Sequence, residues 1–200
     1  MGKRSPAKES LRDLRRAEIV AAARAIVAAQ GMDALTMAAL EEELGYSRGV
    51  ITYHFDDKDE IVEALLASAL AEIDAATQAA VDASGTPADK VRAVLRSNLR
   101  GFLDHREAAL VLLSFWGRLS DAKVRKANAR LYATYRERTA SVLKAGIKHG
   151  AFAKVDCEAL AAVIVGLVIG IAAQACFEPG SVDVDTALEE AERSVLARLS

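Results

Sequence analysis

The sequence predicts an all-α protein of about nine helices, with a small N-terminal three-helix domain followed by a larger C-terminal helical domain. Only three prolines occur in 200 residues, so the stretches 7–86 and 88–178 lack the strongest helix breaker. The dipeptides that most favour β-hairpins, Asn-Gly, Asp-Gly and Gly-Gly, do not occur. Several stretches with helical apolar spacing end at a glycine, where helix C-terminal caps belong: Gly31, Gly45, Gly85, Gly150 and Gly180.

Composition and charge exclude several classes of protein. A hydrophobic fraction of 52% is enough for a sizeable core and excludes intrinsic disorder. A net charge of −2 excludes a general polycation, so any contact with nucleic acid must be local. Cys157 and Cys176 match neither a CxxC motif nor a disulfide framework. Together with an N-terminus that lacks the apolar segment of a secretory signal, this predicts a cytoplasmic protein.

The helices nearest the N-terminus have the clearest boundaries. A stripe from Ile19 to Val27 defines the first helix, Thr36 is the expected N-cap of a short second helix, and Ser47 opens a third that runs to Phe55. A fourth helix begins at Asp57 and extends to about residue 83. Five further helices are predicted at about 88–104, 106–118, 121–149, 156–177 and 184–199.

Residues 36–55 form a candidate helix-turn-helix, because two short helices are joined by a turn that contains Gly45. In this motif the second helix enters the major groove of DNA and its N-terminal residues contact base edges. Val50, Ile51 and Phe55 are apolar and are predicted to pack against the first two helices. The alternative is a helical hairpin whose polar face is simply solvated.

The opposite face of that second helix carries the candidates for DNA contact. Arg48 can form two hydrogen bonds with guanine, and Thr52 offers a hydroxyl or a methyl group to a base. Gly49 costs about 1 kcal/mol in a helix but allows the backbone to approach DNA closely. Thr36 and Ser47 place hydroxyls and free backbone N–H groups at helix N-termini, which suit phosphate oxygens. Further candidates for phosphate contact are Tyr53, His54 and Lys58.

The excess of basic residues near the helix-turn-helix precedes it in the sequence. Residues 1–16 contain six basic and two acidic side chains, a net charge of +4, whereas residues 17–58 contain three basic and seven acidic ones, a net charge of −4. Residues 1–13 are predicted to be a basic flexible tail. Such a tail either contacts DNA, as homeodomain arms do in the minor groove, or only increases solubility.

Several of these features occur together in one known family. With the Gly31 break, Thr36 opening the second helix, and the segments LGYSRGVITYHF and DDKDEIVEALL, the chain resembles the DNA-binding domain of TetR-type transcriptional regulators. The later segment LLSFWGRLSDAKVRKANARLYATYRERTASVLKAGIKHGAF is similar to the C-terminal domain of their BetI-like branch. Thr52 stands where the family usually has a tyrosine, and Tyr53 follows one place on. This departure also occurs in the BetI-like branch.

The resemblance implies a homodimeric repressor that binds a near-palindromic DNA operator and is released by a small-molecule effector. The helix-turn-helix domain would span residues 14–60, and the ligand-binding and dimerisation domain residues 61–200. In the BetI-like branch the effector chemistry suggested is that of betaine or choline. No cofactor, metal or membrane partner is expected.

Half of the aromatic side chains fall on three successive helices of the C-terminal domain. They form a candidate ligand site, as an aromatic box for a cation or a flat hydrophobic molecule: Phe102, Phe115, Trp116, Tyr132 and Tyr135. The alternative is that these rings belong to the ordinary core.

Residues 159–177 contain a single polar side chain, and their length would allow a transmembrane helix. Acidic flanks and many alanines instead favour a helix buried at a dimer interface, where Gly166 and Gly170 permit close approach. The predicted interface, shared with the last helix, comprises Ile164, Leu167, Val168, Ile171, Leu188 and Val195.

An enzyme is not expected, because none of the common catalytic or metal-binding motifs occurs among these residues. Two alternatives remain open at this point. One is a helical small-molecule carrier or enzyme in which the helical hairpin is merely structural. The other is a membrane-associated helical protein built on residues 159–177.

Overall fold

A computed structural model describes residues 6–118 and 120–200, and these residues form nine α-helices and one 3₁₀ turn without any strand. This confirms the all-α prediction. The helices, in chain order, are α1 (Pro6–Gln30), α2 (Met37–Leu44), α3 (Arg48–His54), α4 (Lys58–Ala83), α5 (Pro87–Asp104), α6 (Arg106–Trp116), α7 (Ala122–Lys148), α8 (Cys157–Phe177) and α9 (Val184–Ala197).

Helices α1, α2 and α3 surround a small apolar core. Its fully buried members are Ile19, Ala23, Leu40, Ile51 and Phe55. The Thr36 hydroxyl accepts a hydrogen bond of 3.1 Å from the backbone N–H of Ala39 and caps α2, as predicted. Gly45 then turns the chain with a φ of 64°, in the left-handed region that favours glycine. The predicted helix-turn-helix is therefore present.

The C-terminal domain is built around α5, which packs against α4, α6, α7, α8 and α9. At the start of α4, the Asp57 carboxylate accepts a hydrogen bond of 2.8 Å from the backbone N–H of Glu60. The Glu60 carboxylate in turn accepts one of 2.8 Å from the N–H of Asp56. These reciprocal bonds resemble a capping box and fix the point where α4 leaves the helix-turn-helix.

Helices α4 and α5 approach each other closely at Gly101. A Cβ atom at that position would lie 2.7 Å from Cγ2 of Ile73, a fully buried side chain of α4. Only glycine fits this crossing without displacing its neighbour. The crossing matters for function because α4 is the helix that joins the two domains.

By length and composition, α4 and α8 could each cross a membrane. In the structure both contribute to the protein core, α8 through Ala161, Ile164 and Val168 among others. The opposite side of α8 carries exposed apolar residues, described below with the candidate interfaces.

The predicted element boundaries need two corrections. The segment predicted to be a flexible tail is helical from Pro6 onward, because α1 continues far beyond the apolar stripe that revealed it. Residues 1–5 of that predicted tail lie outside the described residues. Helices α6 and α9 end at Trp116 and Ala197, each two residues earlier than predicted.

Candidate nucleic-acid interface and effector pocket

Helix α3 has one buried and one exposed face. Ile51 is fully buried, whereas Arg48, Gly49 and Thr52 are exposed at the N-terminal end of the helix. Tyr53 is also exposed, to 70%. A guanidinium and a hydroxyl presented in this way can reach hydrogen-bonding atoms on base edges in the major groove.

The hydroxyl groups on and beside α3 differ in their hydrogen bonds. Thr52 donates to the backbone carbonyl of Arg48 at 3.0 Å, so its hydroxyl is partly occupied within the helix. Ser47, at the N-cap position, makes no capping hydrogen bond with its side chain. Its hydroxyl and the N–H groups of the first turn are therefore suited to a phosphate oxygen.

The remaining predicted phosphate contacts lie at the starts of the neighbouring helices. Thr36 is exposed at the N-terminus of α2, where its hydroxyl accepts the capping hydrogen bond and keeps its own proton for donation. Lys58 is exposed as the first residue of α4. Both side chains stand at helix N-termini, where anions are favoured.

Two of the sequence expectations for α3 are wrong. His54 is only 8% exposed and lies edge-on to the Tyr53 ring, so it is not a phosphate contact. Burial, and secondarily the charges of nearby arginines of α1, lower the pKa of His54, which favours the neutral ring. Val50 was expected to pack inside but is 40% exposed, because the helix rotates it away from Ile51 toward solvent.

Two arginines of α1 contact the segments on either side of α3, Arg16 at its end and Arg15 at the turn before it, and the sequence did not predict either contact. The Arg16 guanidinium lies 3.9 Å from the ring centroid of Phe55, donates to the backbone carbonyl of His54, and pairs with Glu60 at 3.0 Å. Arg15 contacts Tyr46, whose hydroxyl donates to Glu18 at 2.6 Å. In the sequence, only the three-residue spacing of Arg15 and Glu18 indicates that these side chains pair on one face of a helix.

A narrow apolar pocket lies between α5, α6, α7 and α8. Three of the five predicted aromatic side chains line it, namely Phe102, Tyr132 and Tyr135. The rings of Phe102 and Tyr135 have centroids 6.3 Å apart and are inclined at 43°. The aliphatic part of the wall comes mainly from α8, including Ile164 and Val168.

The other two predicted rings do not line this pocket. Phe115 is buried one turn further along α6 than Leu112, beside Val62 of α4 and Arg118. Trp116 is 48% exposed and borders a separate small space. The predicted five-ring box is therefore corrected to three rings, because α6 carries its last aromatic residues past the pocket.

Polar groups separate this pocket from a groove between α4, α5 and α7. Asn98 Oδ1 and the Tyr135 hydroxyl are buried without a hydrogen-bond partner among the described residues. Both side chains line the pocket and also the groove, where Asp74 and Arg138 form an ion pair. Burial, together with the negative charge of Asp74, raises the pKa of Tyr135, so the phenol keeps its proton at neutral pH.

Ion pairs connect the two domains. Arg24 of α1 donates to Glu72 of α4 at 2.5 Å, to Glu107 of α6 at 3.0 Å and to His105, which lies between α5 and α6, at 2.9 Å. One guanidinium therefore links α1 to α4 and to the start of α6. Glu107 is almost fully buried and would be costly to leave unpaired. Ion pairs therefore hold the α1–α4–α6 junction together across the two domains.

Most of the predicted dimer-interface residues lie inside the chain's own core. Ile164, Val168, Ile171, Leu188 and Val195 are buried within the single chain, and only Leu167 is partly exposed. Periodicity alone could not tell the two apolar sides of α8 apart. The exposed side, here called the α8 outer face, comprises Val163, Gly166, Leu167, Gly170, Gln174 and Phe177.

The chain matches two family models. Residues 19–65 match the tetR family of bacterial regulatory proteins, and residues 87–200 match the C-terminal domain of BetI-type transcriptional repressors. A curated relative, the HTH-type transcriptional regulator BetI of Burkholderia ambifaria (strain MC40-6), is 30% identical over 124 residues. That match covers 60% of this chain and 62% of the relative, so it spans less than two thirds of the relative's length.

Solved structures share the same fold. A transcriptional regulator from Saccharomonospora viridis, in complex with choline, has a TM-score of 0.82 and 20% identity, over 94% of this chain and 98% of that one. The regulator FadR from Bacillus subtilis, in complex with stearoyl-CoA, has a TM-score of 0.77 and 17% identity, over 92% and 98% of the two chains. With these matches over both domains, the chain belongs to the TetR family of bacterial transcriptional regulators, with a C-terminal domain of the BetI type.

Proposed function

We propose that this chain is a homodimeric repressor that binds a near-palindromic operator and releases it when a small molecule occupies the pocket between α5 and α8. The observation that carries the proposal is the exposed face of α3, where Arg48 and Thr52 stand on a helix anchored by Ile51. Arg48 would discriminate among bases. Ser47, Thr36, Tyr53, Gly49 and Lys58 would hold the sugar-phosphate backbone.

The α8 outer face supports the dimer. Val163 is 55% and Phe177 77% exposed, which is unusual for apolar residues on the most apolar helix of a protein. Nothing within 4 Å would meet a Cβ atom at Gly166 or Gly170, so a second helix can approach there. Two copies joined in this way would present two α3 helices to successive major grooves, about 34–36 Å apart.

Release of DNA would follow from a change in the position of α4. This helix borders the groove beside the pocket at Asp74, joins α1 at Glu72 and begins at Lys58 next to α3. A ligand that prefers one position of α4 would shift the dimer toward a spacing of recognition helices that no longer fits the operator. Two proteins with this fold were solved in complex with small molecules, choline and stearoyl-CoA, which supports a role for a ligand.

Cytoplasmic location and the absence of catalysis are part of the same proposal. Helix α8 packs against α5, α6, α7 and α9, which favours a core and interface role over membrane insertion. The second candidate function is a helical carrier or enzyme with a merely structural hairpin. It is distinguished by the absence of selective DNA binding.

Repeated selection from a pool of random duplexes at about 150 mM salt tests the proposal. We expect enrichment of one near-palindromic sequence and a dimer by light scattering. A pool that stays random, with only weak and salt-sensitive binding, would contradict the repressor function and leave the carrier as the better account.

A further inference from the structure

A groove that becomes more polar along its length lies beside the pocket. Val94, Asn98, Tyr135 and Thr139 line both the apolar pocket and the first part of the groove. The groove then widens toward the ends of α4 and α7, past Arg138 and Val142. Asn98 and Tyr135 therefore stand between an apolar pocket and a more polar groove.

The apolar end offers a cation aromatic faces but no counter-charge. Among the residues that the structure describes, no carboxylate lines it, and its polar contributions come from Asn98, Thr139 and the hydroxyls of the tyrosines. The one carboxylate at its outer edge, Asp74, is already paired with Arg138. A second positive charge placed there would be repelled by that guanidinium.

The open end carries two basic side chains. Lys90 and Arg138 line it together with His149, and none of its lining residues within the described part of the chain is a carboxylate. Lys90 forms no ion pair with any residue that the structure describes, and Arg138 keeps donors beyond those used by Asp74. At the junction, the protonated Tyr135 hydroxyl is nine-tenths buried, lacks a partner in the described part of the chain, and can donate a hydrogen bond to an oxygen.

We infer that the ligand of this site is an amphipathic anion, whose apolar part occupies the pocket between α5 and α8 and whose anionic head group lies in the groove at Tyr135, Arg138 and Lys90. This inference rests on the proposed function only in assigning the ligand the role of effector. A carboxylate and a phosphate share the required chemistry, since both accept hydrogen bonds from arginine, lysine and phenol.

Titration calorimetry on the full chain with four probes of equal chain length tests the inference: octanoate, octyl phosphate, 1-octanol and octyltrimethylammonium. We expect at least one of the two anions to bind about tenfold or more tightly than both the alcohol and the ammonium compound. Whichever anion binds better identifies the head group as carboxylate or phosphate. Equal affinities, tighter binding of the ammonium compound, or no saturable binding of any probe would overturn the inference.

Three variants locate the head group. Lys90→Gln is expected to weaken binding of the anion several-fold and leave 1-octanol unchanged, whereas Asp74→Asn is expected to strengthen binding of the anion, because a repelling charge is removed. Arg130→Gln makes the same change of charge on an exposed part of α7 and is expected to have no effect. If the anion binds both the Lys90 and the Asp74 variants as tightly as the wild type, the head group lies elsewhere and the inference is contradicted.

Operator binding, measured on the same samples without ligand, separates the two proposals. Loss of selective DNA binding would contradict the repressor function while leaving the ligand class intact. Selective DNA binding combined with preference for the ammonium probe would contradict only the ligand class.

Discussion

The guanidinium of Arg118 lies 2.9 Å from the Asp59 carboxylate and ties the connection after α6 to the first turn of α4. Asp59 is the neighbour of Lys58, a predicted phosphate contact, and Arg118 follows the helix that closes one side of the pocket. Arg118 also donates to Asp121 at 3.1 Å, which orients it. This pair connects the end of α6, a helix that lines the pocket, to the first turn of α4.

Arg118→Gln is expected to change the free energy of unfolding little but to raise the ligand concentration needed to release the operator. Both side chains of the pair are about two fifths exposed, so we expect the free energy of unfolding to fall by less than about 1 kcal/mol. The concentration of ligand that releases operator should nevertheless rise, because α4 no longer follows α6. Denaturant unfolding and operator release by the tighter-binding anionic probe measure the two effects. A release curve identical to that of wild type would remove this pair from the coupling path.

Val163→Arg is expected to dissociate the dimer without unfolding the chain. The side chain is more than half exposed in the single chain, so the substitution disturbs few buried contacts, yet it places a charge on the α8 outer face. Sedimentation and circular dichroism measure assembly and folding. Ala129→Arg, on the exposed side of α7, is the matched control. A Val163→Arg protein as dimeric as wild type would show that the interface lies elsewhere.

His54 makes the helix-turn-helix sensitive to acid. Its folded-state pKa lies below that of the unfolded chain, so the unfolded state binds more protons as the pH falls. The stability that the neutral ring contributes is therefore complete above about pH 6.5. It declines below that pH until the folded-state pKa is passed. We expect His54→Gln to flatten the dependence of the unfolding free energy on pH between about pH 7.5 and 5, and an unchanged dependence would contradict this account.

Gly101→Ala is expected to destabilise the chain by about 1–3 kcal/mol, because the added methyl group overlaps the buried Ile73. In the Gly101→Ala background, Ile73→Ala should cost less than it does in the wild type, since it also removes the clash. Denaturant unfolding of the four proteins of this cycle measures the coupling. Additive effects would show that α4 and α5 do not meet closely at this glycine.

The sequence predicted best where local chemistry determines structure. The cap at Thr36, the left-handed turn at Gly45 and the start of α4 at Asp57 each depend on residues within one helical turn, and the structure has all three. The polar face of α3 follows from the same periodicity. Even there, the short helix left Val50 exposed and His54 buried, because seven residues define a helix face only loosely.

Long-range packing limited the rest of the prediction. Both sides of α8 are apolar, so the pattern could not show that Val168 faces the core and Val163 the surface. Among the aromatic residues, Phe102 and Tyr135 meet across helices while Phe115 does not reach them, a result of helix crossing that no local spacing encodes. The ion pair of Arg118 with Asp59 joins positions 59 residues apart in sequence, so local spacing could not predict it either.

Base discrimination by Arg48 tests the central claim most directly. Binding constants for the selected operator and for duplexes with single base-pair changes would be measured for wild type, Arg48→Ala and Lys58→Ala. We expect Arg48→Ala to lose about 1–3 kcal/mol of discrimination at one position. Lys58→Ala should weaken binding to all sequences alike and lower the salt slope by about one. An Arg48→Ala protein that discriminates at every position as well as wild type would contradict the assignment of α3 as the helix that reads DNA.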